Sequence, residues 1–454
     1  MNCNHCRHII EAIDNFRKSI LFLTGLLLLV GSANAQKAYD LKQCLEIALE
    51  KNYDLRIVRN EQLISDNNAT IGNAGYLPSL DLNAGYSGTL NDVEQKYTDN
   101  TTNKNNGIFN QTANLGLNLN WTVFNGFAMQ TNYKRLKEFQ QMGELNTKLA
   151  VENLISDLTS EYYNYVHQKN RLANLKYAVS LSKERLRIVE AHYQIGSKSR
   201  LDLQQARVDF NADSSRLMTQ NEVVYTSGLL LNKLMAIEDV SQPILIADSL
   251  IDPNPFLNDQ LLWELALENN SQLLLSDKNT TISELDLKIL RGNDYPYLRF
   301  NGGYGYSTNL YGSADMKRQN TLGLNYGLTL GFNIFDGFNR SREKKNAKIL
   351  IQNKELLREQ LELSIKTDLA NMWMAYKNNL DLINLEKENK EAAKENFDIA
   401  MERYRLGDLA GIELREAQNS LLEAEERLLQ AQFNTKLCEI SLLQISGQII
   451  SYLE

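Results

Sequence analysis

Apolar and polar residues alternate at two corresponding places in the chain, residues 115–124 and residues 322–335. A period of two places successive side chains on opposite faces, so each range predicts a β-strand with one apolar and one polar face. Each pattern ends at a short junction, Asn125-Gly126 in the first case and Asp336-Gly337 in the second. With the shorter alternating runs that precede them, the pattern predicts four strands, at about 79–89, 113–124, 297–307 and 321–335.

A helical period replaces the alternation after each junction. Apolar residues then recur mostly at intervals of three, four or seven, which predicts long helices at about 127–195 and 338–406 and returning helices at about 199–235 and 411–446. None of the five prolines falls within these ranges, and proline breaks helix interiors. Each long helix is therefore expected to extend roughly 100 Å. Ser199 or Asp202 can cap the first returning helix.

The two patterns belong to an internal duplication. Ala48, Asn52 and Pro78 recur 218 positions later, and Phe124, Tyr193 and Gly196 recur 211 positions later. Constant offsets across whole elements indicate a repeat, with a first unit at 36–240, a proline-containing linker at 241–256 and a second unit at 257–454. Within the first unit, residues 39–75 are predicted to be helical and residues 89–111, rich in Asn, Thr, Asp and Lys, are predicted to be a solvated loop. The expected fold is mostly α-helical, with duplicated helix–hairpin–helix halves, four strands and four long helices.

The N-terminal residues have the order of a secretory signal. Arg17 and Lys18 precede an apolar run at 20–30, and Ala33-Asn34-Ala35 supplies small residues before Gln36. The run is 11 residues long, which is too short for a lasting membrane helix. Residues 1–35 are therefore predicted to be a signal peptide that is removed from the mature chain.

Composition argues against several classes of function. The formal net charge is −8, which does not support nucleic acid as a main ligand. After residue 35 the chain retains two cysteines, Cys44 and Cys438; they are expected to be independent, although their pairing stays open. His167 and His192, the two histidines there, form no metal-ligand or catalytic motif. No cofactor or metal is expected, and an enzyme is the least favoured class.

The strands distinguish between the two remaining classes. A coiled-coil surface or structural protein would explain the helices but not four strands with an apolar face. In a secreted chain, such strands of about ten residues are typical of an outer-membrane barrel. A sheet in lipid cannot leave open edges, and four strands cannot enclose a usable lumen, whereas twelve leave room for a channel. A trimer is the smallest assembly that meets this requirement.

In these residues the chain resembles the TolC-like outer-membrane efflux proteins. The resemblance covers nearly all of the mature chain and rests on the duplication, the Phe-Asn/Asp-Gly-Phe junctions and the two Tyr-x-x-Gly turns. It implies a homotrimer in outer-membrane lipid, whose twelve-stranded barrel continues into an α-helical barrel in the periplasm. It further implies export of small molecules or a secreted polypeptide, with a periplasmic adaptor protein and an inner-membrane RND, MFS or ABC transporter as partners.

The resemblance also assigns candidate site residues. Family members close the periplasmic tip with carboxylate rings and bonds between helices, which implies a gate at Glu413, Glu416, Asp202 and Tyr404. Leu409 occupies the position where the family pattern has a basic residue, and the ring carboxylates are Glu rather than Asp. The alternative for both glutamates is that they only form a solvated helix face. The exposed turns are expected to dock the adaptor, through Gly196, Ser197, Lys198, Gly407 and Asp408. The strand-to-helix junctions, Asn125, Gly126, Asp336 and Gly337, are expected to separate the part in lipid from the part in water.

Overall fold

The computed structural model describes residues 38–313 and 315–453, so the predicted signal peptide lies outside the described residues. The first half comprises, in order, α1 (Leu41–Lys51), α2 (Tyr53–Asn68), β1 (Ser79–Lys96), β2 (Thr102–Asn125), α3 (Ala128–Gln194) and α4 (Arg200–Leu234). The second half comprises α5 (Asp259–Asn269), α6 (Ser271–Gly292), β3 (Tyr297–Leu310), β4 (Arg318–Gly331), α7 (Asn339–Leu406) and α8 (Gly411–Ile445), followed by a short 3₁₀ helix, η1 (Ile449–Leu453). The same order of elements occurs twice, which confirms the mostly helical, duplicated fold.

The four strands form one antiparallel sheet in the order β1-β2-β3-β4. Its register places Leu82, Leu117, Tyr304 and Leu324 side by side in one row. The next row along is Asn83, Gly116, Gly305 and Gly323. Because successive side chains point to opposite faces, the sheet has an apolar face of Leu and Tyr and a polar face of Asn and Gly. The apolar face is uncovered in the protomer, with Leu324 72% and Tyr326 79% exposed.

The prediction of a loop at 89–111 is wrong. β1 continues to Lys96 and β2 starts at Thr102, so only a short turn at 97–101 separates the two strands. A register shift between Asn91 and Val93 accommodates the extra residue of a bulge, where Asp92 Oδ1 accepts a hydrogen bond from the Gly107 amide at 2.6 Å. The polar composition of residues 89–111 predicted a loop wrongly, because strand formation depends more on the neighbouring strand than on intrinsic propensity.

Two further bounds differ from the predictions. The fourth strand ends at Gly331 rather than at 335, because its last partner is Tyr297, the first residue of β3. The helix predicted at 39–75 is two helices, of which the second ends at Asn68, and the non-helical backbone of Asn52, with φ of −55° and ψ of 128°, separates them.

Asn52 and Asn270, which occupy equivalent positions in the two repeats, make the same hydrogen bonds in each half. Each side chain caps the helix that follows, accepting from the amides of Leu55 in one case and of Gln272 and Leu273 in the other. Each amide group also donates to the C-terminal end of a returning helix, Asn52 to Leu234 O at 3.0 Å and Asn270 to Ile445 O at 2.9 Å. The paired asparagines thereby join α2 to α4 and α6 to α8 end to end.

The strand-to-helix junctions share an unusual backbone. Gly126 and Phe127 have φ of 66° and 65°, and Gly337 and Phe338 have φ of 70° and 65°, values in the left-handed region. A Cβ on Gly126 would lie 2.0 Å from Gly292 O, so glycine is required there. The preceding side chain caps the long helix in both halves: Asn125 Oδ1 accepts from the Met129 amide, and Asp336 Oδ2 accepts from the Arg340 amide.

The main hydrophobic core lies at mid-length of α3, where that helix meets α1, the C-terminal ends of α4 and α8, the linker and η1. Tyr39 adds to it through a parallel bridge to Ile246 in the linker. Cys44 and Cys438 are both buried and carry free thiols, and burial raises the pKa of Cys44 to about 12.

Among the described residues, no helix has both the length and the apolar character that a membrane crossing needs.

Candidate functional site

The far ends of the long helices form two similar turns. After α3, Gly196 has φ of 79°, and the Ser197 amide donates to His192 O at 2.9 Å. After α7, Gly407 has φ of 85°, and the Asp408 amide donates to Arg403 O at 3.0 Å. A left-handed glycine with these hydrogen bonds is a standard helix C-terminus. It reverses the chain into α4 and α8, so each half ends in a helical hairpin.

Ser199 is the residue that caps α4, with help from Asp202. The Ser199 hydroxyl accepts from the Asp202 amide at 3.1 Å, and Asp202 Oδ2 accepts from the Ser199 amide at 3.0 Å. This reciprocal arrangement is a capping box. Hydrogen bonds from Ser199 hold the pKa of Asp202 below its ordinary value, so the carboxylate stays charged.

Tyr404 and Asp202, predicted to act together, line the same cavity. It has a volume of about 290 Å³ and lies between the two helical hairpins. Tyr404 is buried, and burial raises the pKa of its phenol. Lys198 of the first turn also lines the cavity, whereas Ser197, Gly407 and Asp408 are exposed on the turns.

Glu413 and Glu416 are exposed on α8. The buried face of the same helix turn is formed by Leu414 and Ala417. No ion pair of either glutamate occurs in the described part of the chain. Both the carboxylate ring and the solvated face fit this exposure, so the ring remains a prediction.

An ionic cluster that was not among the residues predicted from the sequence connects α8 to the first hairpin. Arg415 donates two hydrogen bonds to Asp213 of α4, at 2.6 Å to Oδ2 and 2.7 Å to Oδ1. Ser182 of α3 donates to the same carboxylate, and Arg216 lies 3.7 Å from it. Such a bidentate arginine–carboxylate contact is among the stronger polar contacts in proteins. The cluster links three of the four tip helices.

A second contact lies one helical turn nearer the tip. Arg185 of α3 pairs with Asp209 of α4, and its guanidinium also reaches Gly411 O of α8 at 3.5 Å. Gln418 of α8 donates to Ala178 O of α3 at 3.4 Å. The hairpins therefore meet through polar side chains as well as through an apolar core.

The electrostatics favour the charged form of the cluster. Burial acts to raise the pKa of Asp213, but hydrogen bonds from Arg415 and Ser182 outweigh it and hold that pKa below its ordinary value. Only 1% of Asp213 is exposed. Removal of its arginine would leave a buried carboxylate without its main partner, which is costly.

The sequence does carry one signal for this cluster. Ala206, Asp213, Gln220 and Ser227 follow at intervals of seven, and all four are buried. A polar residue on a heptad stripe that faces other helices requires a polar partner there. This stripe locates Asp213 but does not identify Arg415, because the partner lies about 200 positions away in sequence.

Comparison with known proteins agrees with this architecture. The outer membrane efflux protein family model matches residues 44–235 and 262–448. The outer membrane efflux protein BepC of Brucella suis biovar 1 (strain 1330) is 19% identical over 443 residues, which cover 97% of this chain and 92% of BepC.

Solved structures share the fold at low identity. The Campylobacter jejuni CmeC outer membrane channel superposes with a TM-score of 0.76 at 18% identity, covering 90% of this chain and 85% of that one. CusC, whose structures concern folding and transmembrane channel formation, superposes with a TM-score of 0.73 at 17% identity, covering 91% and 92%.

Two strand hairpins joined to two long helical hairpins define a class of outer-membrane channel protomers. The chain belongs to the outer membrane efflux protein family. It is an efflux channel of the outer membrane that extends into the periplasm, and the family is not one of enzymes.

Proposed function

We propose that three copies of this chain form one exit duct, with a closed barrel of twelve strands in the outer membrane and a tunnel of helices in the periplasm. The observation that carries the proposal is the sheet. Its apolar face is exposed, and β1 and β4 each pair with only one strand in the described part of the chain. In lipid, the free backbone groups of these two edges need partners, and neighbouring copies supply them most simply.

A trimer follows from the strand count. Four strands per copy give twelve in three copies, enough for an open lumen. The polar Asn and Gly face would line that lumen, and the Leu and Tyr face would contact lipid.

The oligomeric state tests this proposal directly. Detergent-extracted protein should form a heat-resistant complex that native mass spectrometry weighs at three mature chains, each somewhat below the 51.8 kDa of the full chain. A monodisperse monomer that is folded by circular dichroism would contradict it.

The helical tip is proposed as the gate and the docking region. The ties between hairpins, from Arg415 to Asp213 and from Arg185 to Asp209, support a closed arrangement of tip helices. Tyr404 and Asp202 line the cavity between these helices. Glu413 and Glu416 would form carboxylate rings in the assembled throat. The duct would pass small molecules or a secreted polypeptide from an inner-membrane RND, MFS or ABC transporter.

The two turns are proposed to bind the periplasmic adaptor. Gly196, Ser197, Gly407 and Asp408 are exposed, and Lys198 is one of the residues that line the tip cavity. Apolar side chains stand beside them in water, with Ile195 76% and Leu406 83% exposed. Exposed apolar groups of this size suggest an interaction surface.

Photo-crosslinkers test the docking proposal. A crosslinking amino acid at position 198 or 408, introduced in cells that express the native partners, should capture an adaptor subunit. The same amino acid at Lys345, exposed at the opposite end of α7, should not. Equal capture at all three positions, or none at the tip with the adaptor present, would reject the proposal.

A further inference from the structure

Three helices are strongly basic where they approach the strand-to-helix junctions. The first ten residues of α3 and of α7 and the last ten of α6, residues 128–137, 339–348 and 283–292, contain ten lysines and arginines and three aspartates and glutamates. The next ten residues of each helix, away from the junctions, contain three basic and four acidic residues. In a chain with a net charge of −8, the positive charge is thus confined to a zone about 15 Å deep, which we call the basic collar.

Ion pairs join the three parts of the collar at one level. Arg135 of α3 lies 2.6 Å from Asp286 of α6, and Lys344 of α7 lies 2.7 Å from Asp294, just after α6. The beginnings of α3 and α7 therefore lie beside the end of α6, and their remaining cations belong to one surface zone.

Most of the collar's cations are not neutralised within the protomer. Arg340 pairs with Asp336, and Arg342 has a 3.6 Å contact with its neighbour Glu343. Six cations of the collar are exposed: Lys134, Lys288, Arg291, Arg342, Lys345 and Lys348. Apart from the contact of Arg342, these six form no ion pair in the part of the chain that the structure describes. Positive charges concentrated in this way repel one another, and an anionic partner would remove that repulsion.

On the side of the sheet, the collar borders a belt of exposed apolar side chains. Ile334, Phe335 and Phe338 are 85%, 69% and 75% exposed in the protomer, and Phe127 is exposed at the corresponding junction of the first half. Aromatic residues collect at the boundary between the hydrocarbon and the head groups of a membrane. Cations just beyond such a belt lie at the level of the lipid phosphates.

We propose that the basic collar binds anionic phospholipid head groups in the membrane leaflet on the helical side of the sheet. The proposal rests on the proposed placement of the sheet in lipid. Lysine and arginine lay their apolar stems along the protein and extend their charged ends toward the phosphates, and a guanidinium can bind two phosphate oxygens at once. A head group with a net negative charge is preferred, because its phosphate is not offset by an ammonium group of its own.

Native mass spectrometry tests the proposal by counting the lipids that stay bound to the protein. The purified protein is equilibrated in mixed micelles with equal amounts of phosphatidylglycerol, which is anionic, and phosphatidylethanolamine, which is zwitterionic, with identical acyl chains. Bound phosphatidylglycerol should exceed bound phosphatidylethanolamine at least about fivefold at low salt, which corresponds to the effect of one well-placed cation near an anionic surface. The preference should fall as ionic strength rises.

Variants locate the binding. The Arg291→Gln/Arg342→Gln/Lys345→Gln variant should lose most of the preference. The Arg291→Lys/Arg342→Lys/Lys345→Arg variant keeps the charge and should retain it, which separates charge from a structural role. The matched control removes three exposed lysines about 50 Å or more further along α7 and should also retain it; it is Lys377→Gln/Lys387→Gln/Lys394→Gln.

Four results would overturn the proposal. They are equal binding of the two lipids by wild type, an unchanged preference in the Arg291→Gln/Arg342→Gln/Lys345→Gln variant, an equal loss in the control on α7, and displacement of phosphatidylglycerol by an equal concentration of glycerol phosphate, which would indicate a phosphate site rather than a lipid site. The same spectra give the number of chains per complex. A trimer without lipid preference therefore contradicts the collar proposal alone, whereas a folded monomer contradicts the proposed duct.

Discussion

Arg415 and Asp213 show how single residues at the tip depart from the family pattern. The basic residue expected shortly after the second turn is Leu409, which is half-buried against the apolar tip core. Arg415, six positions later, carries a guanidinium to Asp213 of the other hairpin. The positive charge that is absent at position 409, in the turn before α8, is thus present at position 415 of α8, where it contacts the first hairpin.

The exposed glutamates of α8 give a prediction at the same scale. Three copies each of Glu413 and Glu416 around a narrow throat would repel anions and attract cations. In planar bilayers, the Glu413→Ala/Glu416→Ala double variant should lose cation preference and block by divalent cations. The Glu395→Ala/Glu402→Ala variant removes the same charge from exposed positions on α7 and should retain both. Unchanged selectivity in the first variant would assign Glu413 and Glu416 to a solvated helix face.

His167 gives a prediction about pH. It is buried and stacks on Phe433 with ring centroids 5.1 Å apart. Burial, with a smaller effect from Arg171, lowers its pKa from the ordinary 6.5 to about 4. Between these values the unfolded chain takes up a proton and the folded chain does not, so the free energy of unfolding falls as pH falls.

The expected loss between pH 7 and pH 5 is about 2 kcal/mol per chain. Chemical denaturation in detergent at the two pH values should show that His167→Gln removes much of this difference. His192→Gln, at an exposed position, should change it little. An identical pH dependence in wild type and His167→Gln would show that the pKa of His167 is the same in the folded and the unfolded chain.

At the scale of elements, the alternation and helical period located the strands and the four long helices to within a few residues at most ends. The strand bounds that these patterns did not predict depend on pairing with strands that are distant in sequence. β2 starts eleven residues before the predicted 113 because β1 continues beside it, and β4 ends where β3 begins. The break at Asn52 was also missed, because an asparagine inside an apolar helical period is not by itself a stop signal.

The paired asparagines give a prediction for these elements. Asn270→Ala removes the cap of α6 and the hydrogen bond to Ile445 O, and Asn52→Ala removes the corresponding contacts in the first half. Each should lower the free energy of unfolding by about 1–2 kcal/mol. Asn279→Ala, which removes only a contact to Leu275 O within α6, should cost clearly less. Equal costs for Asn270→Ala and Asn279→Ala would show that the end-to-end joints do not stabilise the fold.

At the scale of the molecule, the duplication and the two-period pattern were sufficient to predict the fold and the family. The candidate site was predicted less completely. Tyr404 and Asp202 do line one cavity, but the Asp213–Arg415 contact joins the two halves across about 200 residues. Local periodicity carries no information about such a pairing. Without that contact, the predicted gate lacked the ionic tie between its hairpins.

The contacts between the two helical hairpins at the tip are proposed to hold the export duct closed. Single-channel conductance of the purified protein in planar bilayers tests this claim most directly. Arg415→Ala should raise conductance several-fold at neutral pH, because it releases α8 from α4 and leaves Asp213 buried without its main partner. Arg216→Ala, which removes the exposed arginine 3.7 Å from the same carboxylate, should leave conductance close to that of wild type. If Arg415→Ala, verified as assembled and folded, conducts no better than Arg216→Ala, then the contact between the hairpins does not hold the duct closed.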